Sequence, residues 1–429
     1  MRASNRSPGG NGHDTRATTP RTYFVKRVLK RSIFVFRLQY RWVELEAGVR
    51  VLVVGAGLSG AVIARSLSES GHRATVVEAR AHVAGNCHTE RCPETGVLVH
   101  RYGPHIFHTD DAEVWDYVNG FARFRPYRHQ VRTTARGRVY AMPLNLHTIN
   151  QFFGATLRPD EARAHVAARA EAGEGEAASF EEQALRMVGR ELYDAFLRGY
   201  TEKQWGVSPA ELPASILKRL PLRFSYDDNY FFHSFQGIPE EGYTAMVERI
   251  LDAPGIEVHL DTAFAPEMAE RHDHVVWSGP LDEWFGHRLG RLGYRTLDFE
   301  AFRAEGDWQG CAVMNYPDPE VPFTRITEHK HFAPWEEHAG TVCYREYSRA
   351  CGPGDIPYYP IRLVAEKALL ARYVEMAEAE ENVTFVGRLG TYRYIDMDVT
   401  IREALDTARA MRDAARAGDR LPRFSAAPL

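Results

Sequence analysis

Three glycines and one carboxylate in the first quarter of the chain have the types and spacing of a dinucleotide site. Gly55, Gly57 and Gly60 form a Gly-x-Gly-x-x-Gly motif, and Glu78 follows about 20 residues later. The glycines permit a tight turn and close backbone approach to a pyrophosphate, which the N–H groups of the next helix can bind. A carboxylate at the end of the second strand accepts hydrogen bonds from both ribose hydroxyls and repels a 2′-phosphate. The motif therefore predicts FAD or NAD rather than NADP.

The far end of the chain favours FAD over NAD. Residues 383–387 form an apolar run that ends in glycine, and residues 394–398 lead into a helical run over 399–412. A helix N-terminus there, next to Asp396, can face the pyrimidine edge of a flavin ring, which is negatively charged when reduced. A site built from both ends of the chain suits FAD.

Aromatic residues are concentrated between positions 193 and 235. Most of them are expected in the core, but residues 199–206 (GYTEKQWG) combine rings with polar groups. We interpret this segment as a glycine-bounded loop that can stack a base or a sugar and bond its edges. The residue types alone fit core packing equally well.

Hydrophobic periodicity predicts the elements that position these residues. Residues 49–54 indicate a buried strand, 61–70 a helix and 73–78 a second strand, which together make one βαβ unit. Residues 143–223 have few strand patterns and predict a helical region, with a solvated connector at 160–179. Further along, short apolar segments separated by Pro, Gly and Asp predict a sheet that completes the molecule: 275–277, 311–314, 323–326 and 341–344.

Composition excludes several classes of protein. The 429 residues include 53 Lys+Arg and 57 Asp+Glu, a net charge of −4, with 44% hydrophobic residues. This is typical of a soluble globular chain of two or three domains and excludes nucleic-acid binding by bulk charge. The 5 cysteines form no CxxC pair, so neither a disulfide framework nor a metal site is predicted. We expect a reducing cytoplasm, with no transmembrane segment and no secretory signal.

The first 48 residues are strongly basic. Within them, residues 21–45 interleave apolar and basic side chains and can associate weakly with anionic lipid as an amphipathic helix. The helical spacing is imperfect, which favours a disordered extension or a misassigned start.

Many longer motifs resemble those of UDP-galactopyranose mutases. In order from about residue 49 to 412 they include GAGLSGAVIARSL, RYGPHIFHTD, GYTEKQWG, ELPASILKRLPLRFSYDDNYF, CAVMNYPD, TRITEHKHF, IPYYPI and GRLGTYRYIDMDVTI. The resemblance implies a cytoplasmic, homodimeric isomerase that interconverts UDP-galactopyranose and UDP-galactofuranose for cell-surface polysaccharide. It also implies a covalent adduct between sugar C1 and N5 of reduced FAD, with no net redox change.

The resemblance further implies an α/β fold with three parts and a basic extension at 1–48. An FAD-binding Rossmann-like domain is expected at 49–123, 240–282 and 384–418, with an inserted helical substrate and lid domain at 140–223. An antiparallel sheet domain is expected at 124–139, 224–239 and 283–383.

The roles of individual residues follow from the same motifs. Arg219 and Arg325 are implied to bind the diphosphate and His108 to lie beside the flavin, these three being catalytic. The implied FAD contacts are Gly55, Gly57, Leu58, Gly60, Glu78, Ala79, Asn86, His105, Ile106, Arg388, Asp396 and Met397. The implied substrate contacts are His129, Phe196, Tyr200, Thr201, Trp205, Tyr230, Asn315, Tyr359 and Tyr394. Residues 217–228 correspond to the mobile lid of the family, which brings Arg219 to the substrate.

The chain departs from the family pattern at two positions in this region. Ala84 replaces the first glycine of the usual Gly-Gly-Asn, where we expect the methyl group to be tolerated. His129 replaces an Asn that some relatives carry, which puts that contact in doubt. Two other functions stay open: a flavin oxidoreductase of the amine-oxidase or desaturase type, and a non-catalytic FAD-binding partner of a membrane glycosyltransferase. The arginine pair with the Trp205 segment favours the mutase over the oxidoreductase, and only the basic N-terminus suggests the partner protein.

Overall fold

The structure is a computed structural model that describes residues 48–219, 222–361 and 364–428. Its strands are β1 (Arg50–Val54), β2 (Arg73–Val77), β3 (Thr89–Arg91), β4 (Leu98–His100), β5 (Phe107–Thr109), β6 (Phe124–Pro126), β7 (Val131–Ala135), β8 (Arg138–Met142), β9 (Phe235–Pro239), β10 (Ile256–His259), β11 (His274–Trp277), β12 (Tyr294–Glu305), β13 (Val313–Asn315), β14 (Arg325–Glu328), β15 (Gly340–Ala350), β16 (Tyr359–Pro360) and β17 (Val383–Phe385).

The α-helices of the same ranges are α1 (Leu58–Glu69), α2 (Ala112–Asn119), α3 (Leu146–Phe153), α4 (Pro159–Ala167), α5 (Phe180–Leu192), α6 (Gly199–Trp205), α7 (Gly242–Leu251), α8 (Pro266–Ala269), α9 (Leu281–Trp284), α10 (Val364–Glu378), α11 (Gly387–Gly390) and α12 (Met397–Ala417). A π-helical segment (Tyr193–Arg198) joins α5 to α6. Short 3-10 helices lie at Gly85–Cys87, Pro209–Glu211, Ala214–Arg219 and His329–Phe332.

A parallel sheet, in the order β10-β2-β1-β11-β17, carries the dinucleotide motif. Helices α1, α7 and α12 bury one face of it, and α10 contributes to the core on the other face. Strands covered on both faces are nearly continuously apolar, which explains Val51–Val54; Arg50, at the start of β1, is exposed. The predicted βαβ unit is confirmed. Residues 275–277 also belong to this sheet, as part of β11, so grouping them by strand pattern with 311–314, 323–326 and 341–344 was wrong, whereas the segment expected at 240–282 kept them apart from those strands.

The second sheet has the order β16-β12-β15-β14-β13-β7-β8. Its pairs are antiparallel except for β13 with β7, which run parallel. Asn315 and Arg325 lie directly opposite each other on β13 and β14. A separate three-stranded antiparallel sheet, β5-β9-β6, carries His108.

Helices α3 to α6 form the helical region that the sequence predicted, with two corrections. The connector expected at 160–179 starts as helix α4, because Pro159 lies at its first position and Glu161 accepts a hydrogen bond from the N–H of Arg158. The loop expected at 199–206 is helix α6. Its bounding glycines serve packing and capping, since a Cβ on Gly199 would lie 2.2 Å from the carbonyl oxygen of Pro317 and Gly206 ends the helix at φ +71°.

Within the described ranges, no helix is long and apolar enough to cross a bilayer. The basic segment 21–45, with its predicted lipid association, lies outside the described residues.

Candidate active site

The glycine motif forms the turn between β1 and α1. Gly55 has φ +100°, and a Cβ on Gly60 would lie 2.0 Å from the carbonyl oxygen of Gly55, so neither position accepts a side chain without a shift. Helix α1 begins at Leu58, with Gly57 at its N-cap. No side chain caps this end and no acidic residue lies in its first turn. The N–H groups there are open to an anion such as a pyrophosphate.

Glu78 follows β2 beside this turn, as predicted. Its buried carboxylate accepts hydrogen bonds from the backbone N–H groups of Ala56 at 3.0 Å and Arg80 at 3.1 Å. Two backbone donors leave lone pairs of the carboxylate for ribose hydroxyls. Ala79 is exposed next to it.

Arg80 was missed by the sequence reading. Its guanidinium donates to Oδ1 of Asn86 at 3.0 Å and lies over the ring of Tyr102 at 4.8 Å. Its Nη1 is buried and, among the described residues, has no hydrogen-bond partner. An orphaned donor between the glycine turn and the large cavity described below fits a polar group of a dinucleotide.

Ala84 adopts the left-handed conformation, at φ +73° and ψ 0°, and is 1% exposed. Its N–H donates to the carbonyl oxygen of Ala56 at 2.9 Å, which holds the Gly85–Cys87 segment against the glycine turn. A non-glycine residue in this conformation costs about 1–2 kcal/mol. The departure from the family pattern therefore introduces backbone strain.

A cavity of about 740 Å³ lies next to the glycine turn and the Gly85–Cys87 segment, with Asn86 in its wall. The structure brings many of the predicted site residues to its wall: Asn86, His105, Ile106, His108, His129, Phe196, Tyr200, Thr201, Trp205, Tyr230, Asn315, Arg325, Tyr359, Arg388, Tyr394, Asp396 and Met397. The glycine motif with Leu58, Glu78 and Ala79 forms the separate nucleotide end. The side chain of Arg219, on the segment Ala214–Arg219, lies outside what the structure describes, as do residues 220–221 of the predicted lid.

Arg325 lies at the cavity wall and is paired with Glu346, a partner that the sequence did not predict. Its Nε donates to Oε2 of Glu346 at 2.8 Å, and the two side chains are 19% and 1% exposed. Burial opposes the guanidinium charge, but the carboxylate of Glu346 outweighs it and raises the pKa of Arg325. Bonding through Nε leaves the two terminal nitrogens to face a ligand. Glu346 lies directly opposite Arg325 in the β14–β15 register, which cannot be read from local sequence.

Aromatic rings line the wall on the side of α6. Phe196 is 3% exposed and packs edge-on against Tyr140 at 5.1 Å, so it serves the core and the cavity together. The ring centre of Trp205 lies 6.5 Å from that of Tyr359. Burial raises the pKa values of Tyr200 and Tyr359, whose hydroxyls therefore remain neutral donors.

Three buried polar atoms of the wall lack hydrogen-bond partners among the described residues. They are Nδ1 of His129, Oε1 of Gln204 and Oδ1 of Asn315. Burial, with the nearby charge of Arg325 and of His108, lowers the pKa of His129 to about 3. Burial also lowers the pKa of His105 to about 4. Neutral imidazoles and an amide with open positions suit the hydroxyl groups of a sugar.

His108 forms a pair that the sequence did not predict. Its Nδ1 lies 3.1 Å from Nδ1 of His233, and its ring stacks on Phe231 with 3.7 Å between centres. At this distance one of the two nitrogens donates a hydrogen bond to the other, according to the tautomers of the rings. His108 lies opposite Gln236 in the β5–β9 register, and His233 reaches it from the segment just before β9.

Arg388 closes the cavity toward α12. Its Nη2 donates to the carbonyl oxygen of Ile395 at 2.7 Å, and its guanidinium lies 5.0 Å from the ring centre of Tyr394. Asp396 occupies the N-cap position of α12, which begins at Met397. The predicted second helix N-terminus thus points into the cavity wall.

Comparisons with known proteins decide the family. A family model described as UDP-galactopyranose mutase matches residues 195–394, and one described as an NAD(P)-binding Rossmann-like domain matches residues 53–121. A probable UDP-galactopyranose mutase of Klebsiella pneumoniae is 57% identical over 87% of this chain and 98% of its own length. The chain belongs to the UDP-galactopyranose mutase family. Three predictions are confirmed: the family, the α/β fold class and the enzyme class, which is an isomerase.

Two further comparisons concern a relative with a different substrate name and a solved structure with the same fold. A dTDP-fucopyranose mutase of Escherichia coli is 50% identical over 84% of this chain and 97% of its own length. The crystal structure of a reduced UDP-galactopyranose mutase superposes with a TM-score of 0.66 at 16% identity, covering 86% of this chain and 96% of that one. The latter similarity establishes the fold alone. The dTDP-fucopyranose mutase is named for another nucleotide and another sugar. Both parts of the substrate are therefore tested by experiment below.

Proposed function

We propose that this protein is a UDP-galactopyranose mutase that interconverts UDP-galactopyranose and UDP-galactofuranose without net redox change. The observation that supports this most strongly is the half-buried Arg325, bonded to Glu346 through Nε, at a cavity lined by Tyr200, Trp205 and Tyr359. A cation whose two terminal nitrogens bond to none of the described residues, beside tyrosine hydroxyls, suits a diphosphate. Aromatic faces suit a base.

The cofactor we propose is FAD in its reduced form. The uncapped N-terminus of α1 would hold its pyrophosphate, Glu78 its ribose, and Arg388 with the N-terminus of α12 its flavin end. The orphaned Nη1 of Arg80 supports a polar group at this place. When bound and reduced, the flavin supplies a nucleophilic nitrogen, N5, for the anomeric carbon of the sugar.

The diphosphate must leave the sugar and stay in the cavity. Arg325 stabilises the negative charge that develops on it, and the hydroxyls of Tyr359 and Tyr394 add hydrogen bonds. A lid at 217–228 would bring Arg219 to the diphosphate, where its guanidinium would help to neutralise the negative charge. The closed lid would also exclude water. The hydrogen-bonded His108–His233 pair contributes ring nitrogens to the cavity wall.

The wider setting belongs to the same proposal. The enzyme would act in the cytoplasm as a homodimer and supply galactofuranose for cell-surface polysaccharide. The division into an FAD-binding domain, an inserted helical domain and a sheet domain, at the boundaries given above, is part of it.

The rival function is oxidation by a flavin of the amine-oxidase type. A putrescine oxidase shares the fold at a TM-score of 0.52 and 13% identity. Arg325 argues against it, because a cation at the substrate cavity repels an amine substrate.

The test is turnover of the purified holoenzyme with UDP-galactofuranose, measured by chromatography with the flavin oxidised and then reduced by dithionite. Product formed only after reduction supports the mutase, and dTDP-fucofuranose in parallel establishes the preferred nucleotide sugar. Absence of product in both flavin states, together with oxygen uptake on amines, would reject it.

A further inference from the structure

Lys203 makes an unusual set of contacts for a lysine. It lies on α6, between Tyr200 and Trp205, and its Nζ donates to backbone carbonyl oxygens rather than to a carboxylate. The acceptors are those of Tyr316, Asp318 at 3.1 Å, Val321 at 2.9 Å and Phe323 at 3.2 Å.

Four oxygens around one ammonium, which has three N–H donors, resemble the coordination of a bound cation. Burial lowers the pKa of Lys203 to about 8, while the carboxylates of Asp318 and Glu320 oppose that effect. The side chain therefore carries its charge at pH 7.

All four acceptors belong to one segment, residues 316–324, which connects β13 to β14. Asn315 directly precedes this segment and Arg325 directly follows it. The N–H of Tyr316 donates to the carbonyl oxygen of Thr324 at 2.9 Å and closes the segment into a loop. The loop also touches the start of α6, where Gly199 leaves room for the carbonyl oxygen of Pro317.

Two walls of the cavity thus meet at Lys203. Tyr200 and Thr201 face the cavity from α6, and Asn315 and Arg325 face it from the two ends of the loop. A displaced loop would move the guanidinium relative to the aromatic wall, and a displacement of about 1 Å can cost about 100-fold in activity.

We propose that Lys203 is a positioning residue whose ammonium serves as a built-in cation, folding residues 316–324 and so fixing Asn315 and Arg325 opposite Tyr200 and Thr201. This inference rests on the proposed function only for its readout, the binding of UDP.

The first test compares Lys203→Met with Lys367→Met, an exposed lysine of α10, in the FAD-loaded protein. We expect unchanged flavin absorbance in both, an affinity for UDP about 10- to 100-fold weaker in Lys203→Met alone, and a matching loss of kcat/KM. UDP affinity equal to that of the wild type would overturn the positioning role. A wild type that neither binds UDP nor turns over would instead reject the proposed function. If Lys203→Met does not fold, Lys203→Arg replaces it, since a planar guanidinium does not fit the four-carbonyl site.

The second test separates a cation from mere packing. Lys203→Ala leaves the four carbonyl oxygens without their donor, so ammonium or potassium ions should restore part of the UDP affinity. Tetramethylammonium at the same ionic strength is too large and should not. Equal UDP affinity in all three salts would show that Lys203 acts only by packing and would overturn the proposal.

Discussion

Replacing Arg325 by alanine should damage the protein in two separable ways. Glu346 is 1% exposed, and the change would leave its carboxylate without a cationic partner. Removing one member of a buried ion pair costs about 3–5 kcal/mol in free energy of unfolding. With about 2.1 cal/mol/K of unfolding entropy per residue, a chain of 429 residues should lose roughly 3–6 °C in Tm.

The second effect is on the ligand. Hydrogen bonds to a charged group contribute about 1.5–3 kcal/mol each, so loss of one such contact should weaken UDP binding roughly 10- to 150-fold. The double variant Arg325→Met with Glu346→Gln separates the effects. It removes both buried charges and should restore Tm to near the wild-type value, while UDP affinity stays low.

The assays are thermal unfolding followed by flavin fluorescence and calorimetric titration with UDP. Arg303→Ala is the matched control, because Arg303 pairs with Glu94 at 2.7 Å on the surface, where both side chains are 56% exposed. That loss should cost no more than about 1 kcal/mol in stability and leave UDP binding unchanged. Wild-type UDP affinity in the double variant would refute the role of Arg325, and an unchanged Tm in Arg325→Ala would refute the buried-pair reasoning.

Three further results are expected. Glu78→Ala should release FAD during gel filtration, whereas flavin retained at one equivalent would count against the nucleotide site. Gly199→Ala should lower Tm and weaken UDP binding, because its Cβ would meet the carbonyl oxygen of Pro317 at 2.2 Å; a neutral outcome would mean that α6 does not press on this loop. Stability should fall on acidification from pH 6.5 toward pH 4, because the pKa values of His129 and His105 are lowered to about 3 and about 4. The unfolded chain then binds more protons than the folded one, which costs up to about 1.4 kcal/mol per pH unit for each histidine. Thermal unfolding against pH checks this, and His129→Asn should reduce the slope.

Local patterns predicted the nucleotide end well. The strand at 49–54, the glycine turn and Glu78 form one contiguous βαβ unit, in which residues close in sequence are also close in space. The same reasoning failed at 199–206, where glycines taken as loop signals are there for close packing and for a helix C-cap. A glycine alone does not tell which of these it serves.

The cavity depended on the resemblance to the family and on contacts that no local pattern encodes. Arg325 was predicted, but its partner Glu346 lies across an antiparallel strand pair, and His233 reaches His108 from the segment before β9. The four carbonyl oxygens that bind Lys203 belong to a loop more than 100 residues away in sequence. Partners set by strand register and loop conformation emerge only with the fold.

The most direct test of the proposed function is whether the bond between the sugar and the diphosphate breaks inside the cavity. UDP-galactopyranose labelled with ¹⁸O in the bond between C1 and the β-phosphate can be incubated with the holoenzyme and followed by ³¹P NMR. The proposed function predicts that the label spreads to the non-bridging positions of the β-phosphate with the reduced enzyme and not with the oxidised one, and that Arg325→Ala slows the spread. A label that stays in the bridge while galactofuranose forms would contradict departure of the diphosphate and its retention by Arg325.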